Sequence, residues 1–149
     1  MALKSRGAPL YATSEEAGQA FYDALEQGDL AQLMAVWADD EDIVCIHPGG
    51  PRLIGHDAVM ESWREILASS PVPIRPTRVH AVQSMMSSVH TVVEQLMVDT
   101  SQGKQIVNCY ATNVFHKGPT GWRLVLHHSS QAPADLGPTE LQDVPDLLH

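Results

Sequence analysis

Hydrophobic positions in the first part of the chain recur at the spacing of an α-helix. Thr13 and Glu16 form a capping box, which satisfies free amide donors at a helix start, and apolar residues then repeat at helical intervals up to Gly28. Gly28 is typical of a helix end, and Asp29 directly after it predicts the cap of a second, short helix that ends near Trp37. The pattern therefore predicts two consecutive helices.

Beyond these helices the pattern becomes strand-like, with one interruption. Residues 43–47 predict a short strand before the turn at 48–51, and Gly55 leads into a third helix for which Asp57 is the predicted cap. Alternating apolar positions then predict four long strands, at about 77–84, 88–99, 104–117 and 121–130. Short turns between the last three favour an antiparallel meander. We therefore expect an α+β domain in which a strongly curved antiparallel sheet wraps around the N-terminal helices and leaves a conical cavity.

Length, charge and cysteine content narrow the range of partners. The 149 residues are 44% hydrophobic and carry a formal net charge of −9, which is typical of one globular domain that repels phosphate backbones and anionic lipid. Cys45 and Cys109 lack metal-site spacing, so both are predicted to be buried, reduced thiols in the cytoplasm. No apolar run is long enough to span a bilayer, and no cofactor-binding motif is present. We therefore expect no nucleic acid, membrane, metal or cofactor as a partner.

Several strings, taken in order, resemble the SnoaL-like or nuclear-transport-factor-2-like superfamily. They are the stretch 21–40, the stretch from His47-Pro48 to Trp63, Thr112 to Phe115, Gly121-Trp122, and His127 to Ser130. The last three resemble the bacterial branch related to the association domain of calcium/calmodulin-dependent kinase II. The resemblance covers residues 14–133, so residues 1–13 are interpreted as an N-terminal extension and residues 134–149 as an extended C-terminal tail. It implies the cone fold but little about chemistry, because that fold carries enzymes, ligand binders and assembly modules.

Two branches of the superfamily allow a residue-by-residue comparison. Ketosteroid isomerases use an Asp base and an oxyanion hole made of a Tyr and a protonated Asp. The resemblance puts Phe21 at the position of that Tyr, His47 at that of the base, and Thr112 or Asn113 at that of the protonated acid. All three roles are altered, so the resemblance implies that this chain does not isomerise steroids by that mechanism.

The kinase association domains carry arginines where this chain has Asn113 and Ser129. The resemblance therefore implies weaker binding of carboxylate ligands, and it places these two residues on the concave face of the sheet. Strand alternation then adds Phe115, Val125 and His127 to the same face.

His47 is the candidate catalytic residue, because imidazole suits proton transfer near neutral pH. The alternative is a histidine that bonds only to the turn backbone before Pro48.

Trp63 is the tryptophan expected to reach the cavity from the third helix, with core packing as its alternative. A buried Glu94 would be a candidate acid or base, although an exposed sheet position is the commoner case. The faces of Glu94, His80 and His90 stay open.

Two functions remain open on the sequence. One is a small-molecule pocket, used for binding or for acid-base catalysis on a neutral, mostly apolar ligand. Its predicted lining is His47, Trp63, Asn113, His127 and Ser129. The other is a dimerisation or assembly module without catalytic activity, which the apolar residues on both faces of the strands favour. We expect a homodimer formed through the sheet, since the helices cover only one of its faces, and a homodimer is compatible with either function.

Overall fold

The computed structural model describes residues 9–136. Most of the predicted N-terminal extension and most of the predicted C-terminal tail therefore lie outside the described residues. Three helices and six strands make up the described part. The helices are α1 (Ser14–Gln27), α2 (Leu30–Val36) and α3 (His56–Ser69). The strands are β1 (Val44–Ile46), β2 (Arg52–Ile54), β3 (Ile74–Gln83), β4 (Ser87–Thr100), β5 (Gly103–Gly118) and β6 (Gly121–Gln131).

The predicted helix boundaries at α1 and α2 are confirmed. The Thr13 side chain accepts a hydrogen bond from the Glu16 amide at 3.0 Å, and Gly28 takes a left-handed conformation with φ of 68°. Asp29 caps α2 by accepting from the Gln32 amide at 3.0 Å. The predicted cap of α3 is wrong: Gly55 occupies the N-cap without a side-chain bond, and Asp57 lies in the first turn, where the helix dipole favours an acid.

All six strands form one curved, open sheet in the order β2-β1-β6-β5-β4-β3. The predicted antiparallel meander is confirmed for β3 to β6, while β1 pairs with β6 in parallel. The sequence prediction missed β2, a three-residue strand that pairs antiparallel with β1 after the turn. The arrangement confirms the predicted α+β class.

Helix α1 packs against one face of the sheet, which we call the inner face and define by the buried residues Val92, Ala111, Asn113 and His127. The hydrophobic core lies between them. It is formed mainly by Phe21, Leu25, Leu33, Trp63, Phe115 and Leu124. The opposite, outer face carries exposed apolar residues.

A β-bulge on β6 changes which residues reach this core. The pairing of β5 with β6 shifts between Val114 and Phe115, and Phe115 pairs with Leu124. Leu124 is therefore fully buried, whereas Val125 lines a groove with Val114 and Leu126 on the outer side. The expectation that Val125 belongs to the inner face is wrong, because one extra residue in a strand reverses the alternation.

Within residues 9–136, no helix combines the length and apolar character needed to cross a bilayer.

We predict that Gly121→Ala destabilises the fold more than Gly103→Ala. Both glycines follow tight turns at positive φ, 96° and 102°, so both variants carry a similar backbone strain of about 1–2 kcal/mol. A Cβ on Gly121 would also lie 2.6 Å from the Tyr11 carbonyl oxygen, while a Cβ on Gly103 meets nothing within 4 Å. Urea unfolding should show an extra loss of about 1–3 kcal/mol for Gly121→Ala. Equal losses in the two variants would contradict the packing of Tyr11 on this turn.

Candidate functional site

A buried carboxyl group, that of Glu94 on β4, lies at the centre of the inner face. Its side chain is 3% exposed. The Tyr22 hydroxyl on α1 donates to its Oε2 at 2.7 Å, and the Ser129 hydroxyl on β6 donates to its Oε1 at 3.0 Å. Glu94 therefore has one hydrogen-bond donor from the helix and one from the sheet.

The network continues from Tyr22 along β5 and β6. Asn113 donates from Nδ2 to the Tyr22 hydroxyl oxygen at 3.0 Å. The Oδ1 atom of Asn113 lies 2.6 Å from Nδ1 of His127, the residue paired with it across the two strands. All five side chains of the network are buried: Tyr22, Glu94, Asn113, His127 and Ser129. A polar cluster of this kind is stable only because its members satisfy one another.

Burial controls the ionisation of the cluster. It raises the pKa of Glu94, and the hydrogen bonds from Tyr22 and Ser129 oppose that rise. Burial also raises the pKa of Tyr22, an effect that the Glu94 charge reinforces. For His127, burial and then the neighbouring His47 and His128 lower the pKa to about 3, so the ring is neutral at physiological pH.

His47 follows β1 and reaches the same region from the side of α3. Its Nε2 atom lies 3.0 Å from the Ser62 hydroxyl oxygen and 3.7 Å from the Cys45 sulfur. The His47 ring meets the Trp63 ring edge-on, with centroids 4.6 Å apart. Burial lowers the pKa of His47, which favours the neutral imidazole.

These groups surround a cavity of about 150 Å³, which we call the cone cavity. Its lining is His47, Pro48, Trp63, Ile66, Val72, Ile74, Glu94, Leu96, Cys109, His127 and Ser129. A larger recess of about 510 Å³ lies between α2 and the β5–β6 turn, but none of the titratable side chains around it is buried. The cone cavity is therefore the better candidate site, since it combines an apolar wall with buried titratable groups.

Four of the five predicted lining residues, His47, Trp63, His127 and Ser129, line the cone cavity. Asn113 lies on the same face but behind the cavity wall, where it holds Tyr22 and His127 and lines a neighbouring recess of about 190 Å³. The five predicted residues are thus close together. That they bind a ligand stays a prediction.

Glu94 and Tyr22 are the important residues that the sequence interpretation did not place. The sequence left the face of Glu94 open, with an exposed position as the commoner case; in the structure Glu94 is buried, which is the alternative that makes it a candidate acid or base. The available signal was the parity of β4, since Val92 and Glu94 point to the same side of a strand. Tyr22 follows Phe21, and the choice between two adjacent aromatic residues could not be made without the helix orientation.

The open questions on the other histidines and cysteines also have answers. His90 is buried, and its Nε2 lies 3.1 Å from the Ser14 hydroxyl oxygen, in a separate cluster at the start of α1, while His80 is exposed.

Cys45 is fully buried, and burial raises its pKa to about 12. Cys109 is only partly buried because it faces the cone cavity, so the predicted burial of both thiols is correct for Cys45 alone. Both thiols are free.

In the part of the chain that the structure describes, no group of three or more His, Cys, Asp or Glu side chains is arranged to hold a metal ion.

Comparison with known proteins identifies the same architecture elsewhere. The family model of the SnoaL-like domain matches residues 15–135. A solved structure from Thiobacillus denitrificans ATCC 25259, provisionally described as a calcium/calmodulin-dependent protein kinase type II association domain, is 34% identical, with a TM-score of 0.77 over 84% of this chain and 99% of that chain. These matches confirm both the predicted resemblance and the cone fold.

Two further solved structures are similar. One, from Streptomyces avermitilis, is provisionally described as a dehydratase of the nuclear-transport-factor-2-like family and is 29% identical, with a TM-score of 0.72 over 81% of this chain and 95% of that chain. The calcium/calmodulin-dependent protein kinase II hub of S. rosetta is 18% identical, with a TM-score of 0.65 over 80% of this chain and 94% of that chain, and shows a shared fold only. No curated protein matches the chain.

We predict that acid weakens the fold through His127. Its pKa falls from 6.5 to about 3 on folding, so below pH 6.5 the unfolded chain binds a proton that the folded chain does not. The stability contributed by the neutral ring is present above pH 6.5 and is lost as the pH falls towards 3. Near pH 5 this single group should lower the free energy of unfolding by about 1.4 kcal/mol for each pH unit of acidification.

The variant His127→Gln is expected to be less stable at neutral pH but to lose stability less steeply on acidification, as measured by urea unfolding. His128→Gln is the control, since its side chain is exposed on the opposite face, and it should keep the wild-type slope. A wild-type slope in His127→Gln would show that the histidine is not buried as a neutral ring.

Proposed function

The chain belongs to the SnoaL-like domain family, and on that premise we propose that it binds a small, mostly apolar molecule in the cone cavity, with Glu94 as the hydrogen-bond acceptor, and the candidate general base, for that molecule. One observation carries the proposal. The Glu94 carboxyl group is 3% exposed, both its oxygens accept hydrogen bonds, and it lies in the wall of a cavity that is otherwise largely apolar.

The cavity size supports a compact ligand. A dry, apolar cavity of about 150 Å³ is large enough to hold benzene. The cone cavity has about the same volume, and Trp63, Ile66 and Leu96 give it apolar walls. A ligand with one small ring and one polar substituent would fill it.

Glu94 is better placed than His47 to accept a proton from such a ligand. A carboxylate with a raised pKa is a stronger base than an exposed one, and it gains by losing its buried charge. Tyr22 and Ser129 hold the carboxylate in one orientation, as a general base requires. His47, the candidate from the sequence, remains a second acceptor on the other side of the cavity.

We predict that benzyl alcohol binds in the cone cavity and that Glu94→Gln weakens this binding about tenfold or more. A hydrogen bond to a charged acceptor contributes about 1.5–3 kcal/mol, and the variant removes that charge. Glu65→Gln, an exposed acid on α3, is the control and should bind as the wild type does. NMR titration of the wild type should move the resonances of Trp63 and Cys109.

A second variant tests the location independently of charge. Cys109→Leu places a larger apolar side chain in the cavity wall and should abolish binding of benzyl alcohol by filling the space. Binding that survives Cys109→Leu, or that moves only resonances of the larger recess near α2, would reject the cone cavity as the site.

Assembly is the second candidate function, and the outer face of the sheet favours it. Met97 and Ile106 are cross-strand neighbours there and are 49% and 56% exposed. Val82, 63% exposed, and Val89 form another apolar pair on that face, between β3 and β4. We propose a homodimer that covers this surface, which is compatible with a ligand cavity in each subunit.

We predict that the wild-type protein is a dimer at micromolar concentration and that Ile106→Glu is a monomer, because a charge directly opposite Met97 would be buried without a partner. Met85→Glu is the control: Met85 is 81% exposed but lies between β3 and β4, off the sheet. Light scattering distinguishes these states. A monomeric wild type would remove the assembly function.

We expect neither nucleic acid nor a membrane surface as a partner. A net charge of −9 disfavours nucleic acid and anionic membrane surfaces. Two free thiols favour a reducing compartment, and we assign the protein to the cytoplasm on that basis.

A further inference from the structure

The direction of each hydrogen bond around the cone cavity follows from which atoms can only donate and which can only accept. Asn113 donates an N–H to the Tyr22 oxygen, so the hydroxyl hydrogen of Tyr22 is the one given to Glu94. The Ser129 hydroxyl hydrogen is also given to Glu94. Both hydroxyl groups have therefore used their only hydrogen inside the wall.

His127 has a fixed tautomer for the same reason. Its Nδ1 lies 2.6 Å from Oδ1 of Asn113, an atom that can only accept, so Nδ1 carries the hydrogen. The ring is neutral because burial lowers its pKa. Nε2 consequently holds a lone pair, and no hydrogen bond within residues 9–136 uses it.

His47 has the opposite tautomer, and it too keeps a lone pair on one ring nitrogen. Ser62 gives its hydroxyl hydrogen to the Val59 carbonyl oxygen at 2.8 Å, so its oxygen accepts from His47 Nε2 at 3.0 Å. Nε2 therefore carries the hydrogen in the neutral ring, and Nδ1 holds the lone pair. His47, His127 and Glu94 all line the cone cavity, and each holds a lone pair that can accept a hydrogen bond.

The remaining polar hydrogens of the lining are poor donors to a ligand. The indole nitrogen of Trp63 is fully buried beside Cys45, without a hydrogen-bond partner, so its N–H is not exposed to the cavity. Cys109 offers only a thiol, which is a weak donor. The lining therefore offers a ligand three good acceptors, while its one strong donor without a partner, the Trp63 N–H, is buried away from the cavity.

We propose that the cone cavity selects ligands that donate a hydrogen bond, neutral alcohols in particular, over ethers, aldehydes and carboxylates of the same size. A hydroxyl hydrogen would meet Glu94 or a histidine lone pair. An ether or carbonyl oxygen would find no donor and would leave its own lone pairs unpaired, which is costly in a buried site. A carboxylate would be repelled by Glu94. This inference rests on the proposed function and names the ligand class for the same site.

The tautomers are tested first, in the free protein, by ¹⁵N NMR of the imidazole rings near neutral pH. We expect His127 to be protonated on Nδ1 and His47 on Nε2. Protonation of His127 on Nε2 would overturn the inference, because that ring would then present a donor to the cavity. The chain has eight histidines, so the two rings are assigned with His127→Gln and His47→Gln samples, each of which lacks the signals of one ring.

The ligand preference is tested with benzyl alcohol and anisole, which have the same atoms and differ in whether the oxygen carries a hydrogen. We expect benzyl alcohol to bind about tenfold tighter than anisole, and tighter than benzaldehyde, in NMR titrations. In Glu94→Gln, which replaces one acceptor oxygen by an N–H donor, the preference should shrink, whereas Glu65→Gln should retain it. Equal binding of alcohol and ether would overturn the inference and leave the cavity function standing. Binding of neither compound would reject the cavity function itself.

Discussion

The carboxyl group of Glu94 accepts one hydrogen bond from a hydroxyl on α1 and one from a hydroxyl on β6. A buried carboxylate costs several kcal/mol unless such partners are present, so the helix and the sheet must meet in the one orientation that supplies both. Tyr22 then positions Asn113, and Asn113 positions His127. Satisfying this single acid therefore constrains the orientation of α1 on the sheet, the tautomer of His127 and the polarity of the cavity wall.

The parts of the fold that short-range signals determine were predictable from the sequence. The capping box at Thr13 and the glycine at position 28 set the ends of α1, because both act through backbone groups within one turn. The turns between the long strands predicted the meander for the same reason. Strand parity also placed Asn113, His127 and Ser129 on one buried face, since β5 and β6 stay in register over these residues.

The features that the sequence did not reveal depend on contacts distant in the chain. Glu94 is separated from Tyr22 by 72 positions and from Ser129 by 35, and nothing local indicates that three polar side chains will satisfy one another. The bulge at Val125 is invisible because it arises from the pairing of β6 with β5. β2 is too short for a pattern and exists only because β1 offers it an edge.

The ionisation of Glu94 is the most direct test of this account. Titration of its side-chain carboxyl carbon by ¹³C NMR should give a pKa above the ordinary range of glutamate, because burial outweighs the two hydrogen bonds. In Tyr22→Phe the pKa should rise further, since one bond that stabilises the charged form is lost. An ordinary pKa in the wild type, unchanged by Tyr22→Phe, would mean that the carboxyl group is in water and that the polar network around the cone cavity does not exist.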